Sequence, residues 1–311
     1  MRCVLPCGFL WGAMITVSPH PTELFGMTAS VNGPTVFLDN FAIKDLAKGD
    51  PDRRRRFIAT LNRGVDVLFS VSNAAELSGL QGGSFIAIRE FLDEIGTHWF
   101  PVEFNPYECI KREQQRQHLP FFCERLLKTF TAERLKRSPE IKIADLPASL
   151  PSDFFRLGRF MDWLAPQRGN IIDGKHQMGL NLKDDVMAHW AEHTKNPGWL
   201  DAKLPELPFA VDCPATYVYG NLLRLLVREA KGRAIMTNDG IDFGQAVIGT
   251  AYACFATLDK HWKRLVEAIL PMPNKLARIY YQPELDKMVR DIERSLDNAS
   301  LEGGRALCSF T

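Results

Sequence analysis

The segment NDGIDFGQAVIGTAYACFATLDKHWKRLVEAIL, residues 238–270, carries the grammar of the fold. Asn238-Asp239-Gly240 reads as a cap. Phe243, Ala246, Val247, Ala251 and Cys254 then recur on one stripe, which predicts an amphipathic helix over 241–253. Directly after it, FATL (255–258) is a short apolar run of the kind a strand buried on both faces shows, and it ends in Asp259. KHWKRLVEAIL follows as another helix. Helix, buried strand, helix is the alternation of a parallel α/β sheet.

The same alternation appears on either side. TVFL (35–38) reads as a strand ending in Asp39, followed by a helix over 41–48. Asp50 caps a helix with Pro51 in its first turn, and this helix carries Arg53 to Arg56 and ends near Gly64. VDVLFS (65–70) is a second strand, NAAELSGL (73–80) a helix bearing Glu76, and SFIAIREFLDEIG (84–96) an amphipathic helix closing on glycine. Near the other end, ARIYY (277–281) is a strand and PELDKMVRDIERSL (283–296) a closing helix. Between 105 and 232 the alternation stops. Helical segments such as FFCERLLKTF, SDFFRLGRFMDWL, LKDDVMAHWAEH and ATYVYGNLLRLLVREA follow one another across proline-rich connectors. The expectation is one α/β domain, residues 28–104 and 233–298, interrupted by a helical insertion at 105–232. Residues 1–27 read as an N-terminal extension without order of its own, and 299–311 as a tail.

Hydrophobic residues at 46% and charged residues at 24% describe a folded globular chain and exclude a disordered or collagen-like one. Lys and Arg number 38 against 37 Asp and Glu, a net +1, so no whole-protein field draws nucleic acid or an anionic membrane. Seven cysteines without paired spacing read as reduced thiols, hence a cytoplasmic setting. No apolar run is long enough to span a bilayer, so no membrane partner is expected. Neither Gly82-Gly83 nor Gly303-Gly304 stands in a dinucleotide-binding context.

The acids are better placed. In parallel sheets ligands gather beyond the C-terminal ends of the strands. Asp39 and Asp259 each follow a strand, Glu76 lies in the helix after the second strand, and Asp242 in the first turn of the helix before FATL. Four carboxylates sharing one sheet edge repel one another, about 4 kcal/mol per pair at 4 Å and an effective dielectric near 20. Bound cations relieve this, and oxygen-only donors favour Mg²⁺ or Mn²⁺.

This order of acids, in VFLDN, SVSNAAEL and DFGQAVIGTAYACFATLDKHW, resembles the PIN-domain nucleases. The separations, 76 − 39 = 37 and 259 − 242 = 17, fall within that family's usual range. The likeness covers residues 35–80 and 235–295 and departs from the compact family pattern in the long insertion. It implies a PIN-like parallel sheet and Mg²⁺- or Mn²⁺-dependent cleavage of phosphodiester bonds, most often in single-stranded RNA. Asp39, Asp242 and Asp259 would bind the cations, and Glu76 would ligate one or orient the attacking water. Asp239 is a substitute or helper for Asp242. A toxin-like or defence role in the cytoplasm, an inhibitory protein partner and a homo-oligomer are further implications of the likeness. The alternatives are an inactive module of the same fold that binds nucleic acid or protein, and a helix-capping role for the aspartates.

Two other signals compete. His189-Trp-Ala-Glu192-His193 spells H-x-x-E-H, with both histidines one helical turn apart and Glu267 available as a distal zinc ligand, the pattern of an inverted-zincin metalloprotease. Arg53, Arg54, Arg55 and Arg56 stand at a helix start, where the dipole prefers anions. They read either as RNA-phosphate contacts or as a solvated face paired with Asp50 and Asp52. Phe121, Phe122 and Phe130 lie in a basic stretch and read as core residues rather than base-stacking platforms.

Overall fold

The computed structural model describes residues 13–147, 149–195, 208–230, 232–269 and 275–301. Its centre is a five-stranded parallel sheet in the order β5-β4-β3-β6-β7. These strands are β3 (Thr35–Phe37), β4 (Asp66–Ser70), β5 (Trp99–Val102), β6 (Phe255–Thr257) and β7 (Arg278–Tyr280); β1 (Ala13–Ser18) and β2 (Gly26–Val31) form a separate antiparallel hairpin. The four strands expected from apolar runs are all present. β5 is the addition. WFPV contains Pro101, which has no N–H to donate, and the strand lies at the sheet edge, where proline is tolerated.

The first half of the chain places α1 (Asn40–Lys48) and α2 (Pro51–Leu61) between β3 and β4, then α3 (Val71–Leu77) and α4 (Gly82–Ile95) before β5. The insertion supplies α5 (Pro106–Gln114), α6 (Glu124–Lys136), α7 (Leu157–Leu164), the long α8 (Arg168–His193) and α9 (Pro214–Glu229). After it come α10 (Thr237–Tyr252), α11 (Lys260–Ile269) between β6 and β7, and α12 (Leu285–Leu301). This is an α/β fold interrupted by a helical insertion, as expected.

Alternate strand residues feed two cores. Phe37, Leu68, Phe100, Ala256 and Ile279 face a cluster containing Leu222, Phe243, Val247 and Trp262. Val36, Val67, Phe69, Phe255 and Tyr280 face one containing Ile43, Phe57, Phe91 and Met288. Such two-sided burial explains why these strands are continuous apolar runs rather than alternating ones. The insertion extends both cores, with Leu182 and Val186 in the first and Leu127 and Phe160 in the second.

Three expectations are corrected. Residues 13–31 are not a loose extension: the hairpin buries Val17 and Phe25 against Leu135, Ile141, Leu146 and Phe154. The outer parts of that extension and of the tail, 1–12 and 302–311, lie outside the described residues, as do Cys3, Cys7, Cys308 and Gly303-Gly304. Cys109, Cys123 and Cys213 are free thiols, but Cys254 is disulfide-bonded, so the chain is not uniformly reduced. Finally, α10 begins at Thr237 because Asp239 accepts the Met236 N–H at 2.6 Å, which puts Asp242 in the second helical turn rather than the first. Among the described residues no helix is long and apolar enough to cross a membrane.

Candidate functional site

From β3 the chain steps outward to β4 and β5, then returns through the insertion to β6 and β7 on the other side of β3. The order therefore reverses between β3 and β6, the position at which open parallel sheets leave a crevice beyond their carboxyl ends. Asp39 and Asp259 follow these two neighbouring strands. Asp39 caps α1, accepting the Ala42 N–H at 3.1 Å. Its backbone N–H donates to Thr257 Oγ1 at 2.9 Å, and the Thr257 hydroxyl reaches its carboxylate at 3.2 Å. Asp259 accepts the Trp262 N–H at the start of α11, at 2.8 Å. Both aspartates thus do the capping that aspartate does well, and capping fixes their position at the crevice.

Glu76 reaches the same edge from α3. Ser70 and Asn73 form a capping box that turns the chain directly from β4 into this helix. The buried Asn73 amide donates to Leu38 O at 3.2 Å and to Asn40 Oδ1 at 3.0 Å, and the Asn40 amide donates to Glu76. A chain of amides therefore ties Glu76 to the residue after Asp39. Asp242 differs from the other three acids. Among the described residues nothing donates a hydrogen bond to its carboxylate, nor does it form an ion pair. Burial above all, then the negative charges of Asp259, Glu76 and Asp239, push it up to about 7, with Lys175 acting the other way. Asp39 is likewise raised well above the ordinary carboxylate range by burial, with Asp259 and Asp242 adding to it against the hydrogen bonds from Ala42 and Thr257. Asp242 is thus the acid that links the others, lying in the fields of Asp259 and Glu76 and adding to that on Asp39.

Asp239 has a different role: its carboxylate accepts the Met236 N–H and pairs with Arg233. Lys175, which sequence reasoning did not single out, enters from α8 and pairs with Glu76, its side chain only 4% exposed. No motif in the sequence around 175 marks it. Its place depends on how α8 crosses the sheet edge.

As they stand, no three His, Cys, Asp or Glu side chains among the described residues form a ready-made metal-ion ligand set. Local partners account for this, since Asp39 and Asp259 turn toward helix starts and Glu76 toward Lys175 and Asn40. The donor chemistry nevertheless fits a hard divalent cation. It is all oxygen, and Asp242 is a half-buried carboxylate with like charges around it and no donor.

The other predicted sites lie apart from this cluster. Arg53 pairs with Asp45 and Asp286, Arg54 with Glu94 at 2.8 Å, Arg55 with Asp52 and Arg56 with Glu293. Arg53, Arg54 and Arg56 tie α2 to α1, α4 and α12, whereas Arg55 pairs within α2 and is exposed. His189 and Glu192 are exposed near the end of α8, and the side chain of His193 lies outside the described residues. Glu267, the distal ligand a zinc site needs, is ion-paired with Lys263 on α11 at 2.7 Å. Phe121 and Phe130 are core residues, their rings 5.9 Å from Phe100 and 5.4 Å from Phe160.

Compared with known proteins, the chain matches no family model, no curated protein and no solved structure.

Proposed function

We propose that this chain is a Mg²⁺- or Mn²⁺-dependent nuclease that hydrolyses phosphodiester bonds, with single-stranded RNA as substrate. The observation that carries the reading is Asp242, raised to about 7 and without a donor, held among Asp39, Asp259 and Glu76 where the strand order reverses. Asp39, Asp242 and Asp259 are the residues that would hold the cation. Bound there, it supplies a lowered pKa for water and neutralises charge on the leaving oxygen.

The chain's own part is positioning. Ala42 and Thr257 hold the Asp39 carboxylate, and Trp262 holds that of Asp259, so both stand beside the crevice and would turn from their helix starts to meet a cation. Asp242, unconstrained by donors, is free to exchange its proton for a metal ion as pH passes 7. The preference for RNA rests on the likeness to PIN-domain nucleases.

The test is cleavage of a labelled single-stranded RNA by the purified chain with Mn²⁺, beside Asp242→Asn. Cleavage by the unaltered chain and a loss of at least ~100-fold in the variant is the expected result. Cation binding without cleavage would make the chain a binding module. Equal cleavage by both proteins would remove Asp242 from the chemistry.

A further inference from the structure

Within the insertion, α6 and α7 enclose a cleft of about 350 Å³, which is within the size range of small-ligand sites. Its floor is aromatic. The Phe130 and Trp163 rings lie 5.5 Å apart, and the Trp163 Nε1–H donates to Glu133 at 2.8 Å, which fixes the indole. Its wall carries three arginines, Arg134 and Arg137 from the C-terminal end of α6 and Arg159 from α7. A helix C-terminus favours cations, which accounts for Arg137. It does not account for Arg134. That guanidinium is clamped against the Phe130 and Phe154 rings, 5.8 and 4.5 Å from their centroids, and donates to Phe154 O at 2.8 Å. Among the described residues it forms no ion pair. Burial above all, then the like charge of Arg159, lowers its pKa, with Asp153 acting the other way. The acids of the cleft are already engaged: Asp162 accepts two bonds from Arg89, at 2.9 and 2.7 Å, and Glu133 holds the indole.

We propose that this cleft binds a nucleotide, as a free monophosphate or as one unit of a single strand, with the phosphate on Arg134, Arg137 and Arg159 and the base against Trp163. A guanidinium clamped before the ligand arrives loses little freedom on binding, and its planar fork suits phosphate oxygens. The anion also answers the repulsion between Arg134 and Arg159. Arg159 pairs with Asp153 only at the surface, where such pairs contribute little, so it is available to the ligand. Ser138 is the one uncharged polar side chain on the wall. Base edges therefore go largely unread, and stacking accepts any base. The cleft shares no residue with the acidic crevice, and the inference does not rest on the nuclease reading.

Calorimetric titration of the full chain in EDTA, which silences any metal-dependent cleavage, tests this with AMP, UMP, adenosine and an adenylate RNA hexamer. AMP and UMP should each bind once per chain, with affinities within about fivefold of one another. Adenosine should bind at least about tenfold more weakly than AMP. Arg137→Gln and Arg159→Gln should each weaken AMP about tenfold. Both side chains are exposed, at 79% and 46%, so these variants should fold, whereas Arg134→Gln would also disturb the packing on Phe154. Lys136→Gln, an exposed neighbour outside the cleft, should change AMP binding by less than about twofold. A hexamer bound over about tenfold more tightly than AMP, and weakened in Arg159→Gln, identifies a strand as the source; equal binding identifies the free nucleotide. No AMP binding at millimolar concentration, adenosine bound as well as AMP, or an equal loss in Lys136→Gln overturns the inference. Each of these leaves the nuclease proposal standing, because no divalent ion is present.

Discussion

Asp242 sets the pH behaviour of the unliganded chain. Its carboxyl is raised from 3.8 to about 7, so the folded state holds a proton that the unfolded chain releases near pH 4. The stabilising contribution is complete below pH 4 and is lost as pH rises through 7. At ~1.4 kcal/mol per unit, the loss is at most ~4 kcal/mol across that window. Asp242→Asn removes the group that titrates. Urea denaturation of the metal-free proteins should therefore show the variant at least as stable as the parent at pH 8, with a flatter slope between pH 4 and 7. A parent whose stability is level across this range would mean that the carboxyl is already ionised when folded. The same substitution should abolish cation binding, so stability and cation affinity move in opposite directions at one residue.

At the scale of elements, α8 and α10 decide the geometry. Their crossing leaves no room for side chains at Gly179 and Gly240, and a Cβ on Gly249 would sit 2.7 Å from Phe37 Cδ1, so α10 is also pressed against β3. Gly240→Ala favours the isolated helix by up to ~1 kcal/mol, but it forces the crossing apart. Overpacking of this kind costs ~1–3 kcal/mol. A net loss of ~1–2 kcal/mol in urea is expected, together with weaker Mn²⁺ binding, since Lys175 and Asp242 are held on the two helices that separate. Unchanged binding in a folded variant would mean that the acids are placed by the sheet alone. The hairpin makes a second, independent contribution. Val17 is fully buried, and Val17→Ala should cost ~2 kcal/mol through lost burial and the cavity left against Leu135 and Phe154.

For the whole molecule, a ligand that binds only the folded state must raise its melting temperature. Mn²⁺ at 100 times its dissociation constant adds ~2.7 kcal/mol, which for a chain of this size is a rise of about 4 °C. The rise should be larger at pH 8 than at pH 6, because the cation displaces the proton on Asp242. Calorimetry across this range checks both the magnitude and the sign. The two cores share one sheet, and the insertion contributes to each. The insertion helices are thus part of the folded body whose stability the cation would raise.

The alternation of apolar strand runs and amphipathic helices, its interruption by a run of helices, and the places of Asp39 and Asp259 after strands and of Glu76 in the helix after the second strand were legible in the sequence. Each depends on local periodicity or on a residue standing next to a strand end, which the chain carries within a few positions. Tertiary structure alone decided the rest. β5 was hidden because Pro101 weakens its strand signal, and the sheet edge makes that tolerable. The hairpin at 13–31 was hidden because its buried face has partners more than a hundred residues away. The arginines at 53–56 read either as a nucleic-acid patch or as a face paired with Asp50 and Asp52, and only the tertiary structure brings Asp45, Glu94, Asp286 and Glu293 from other helices to Arg53, Arg54 and Arg56. Lys175 was invisible for the same reason. A lone lysine on a long polar helix has no local signature, and its meeting with Glu76, 99 positions away in sequence, is settled only by the glycine crossing of α8 with α10.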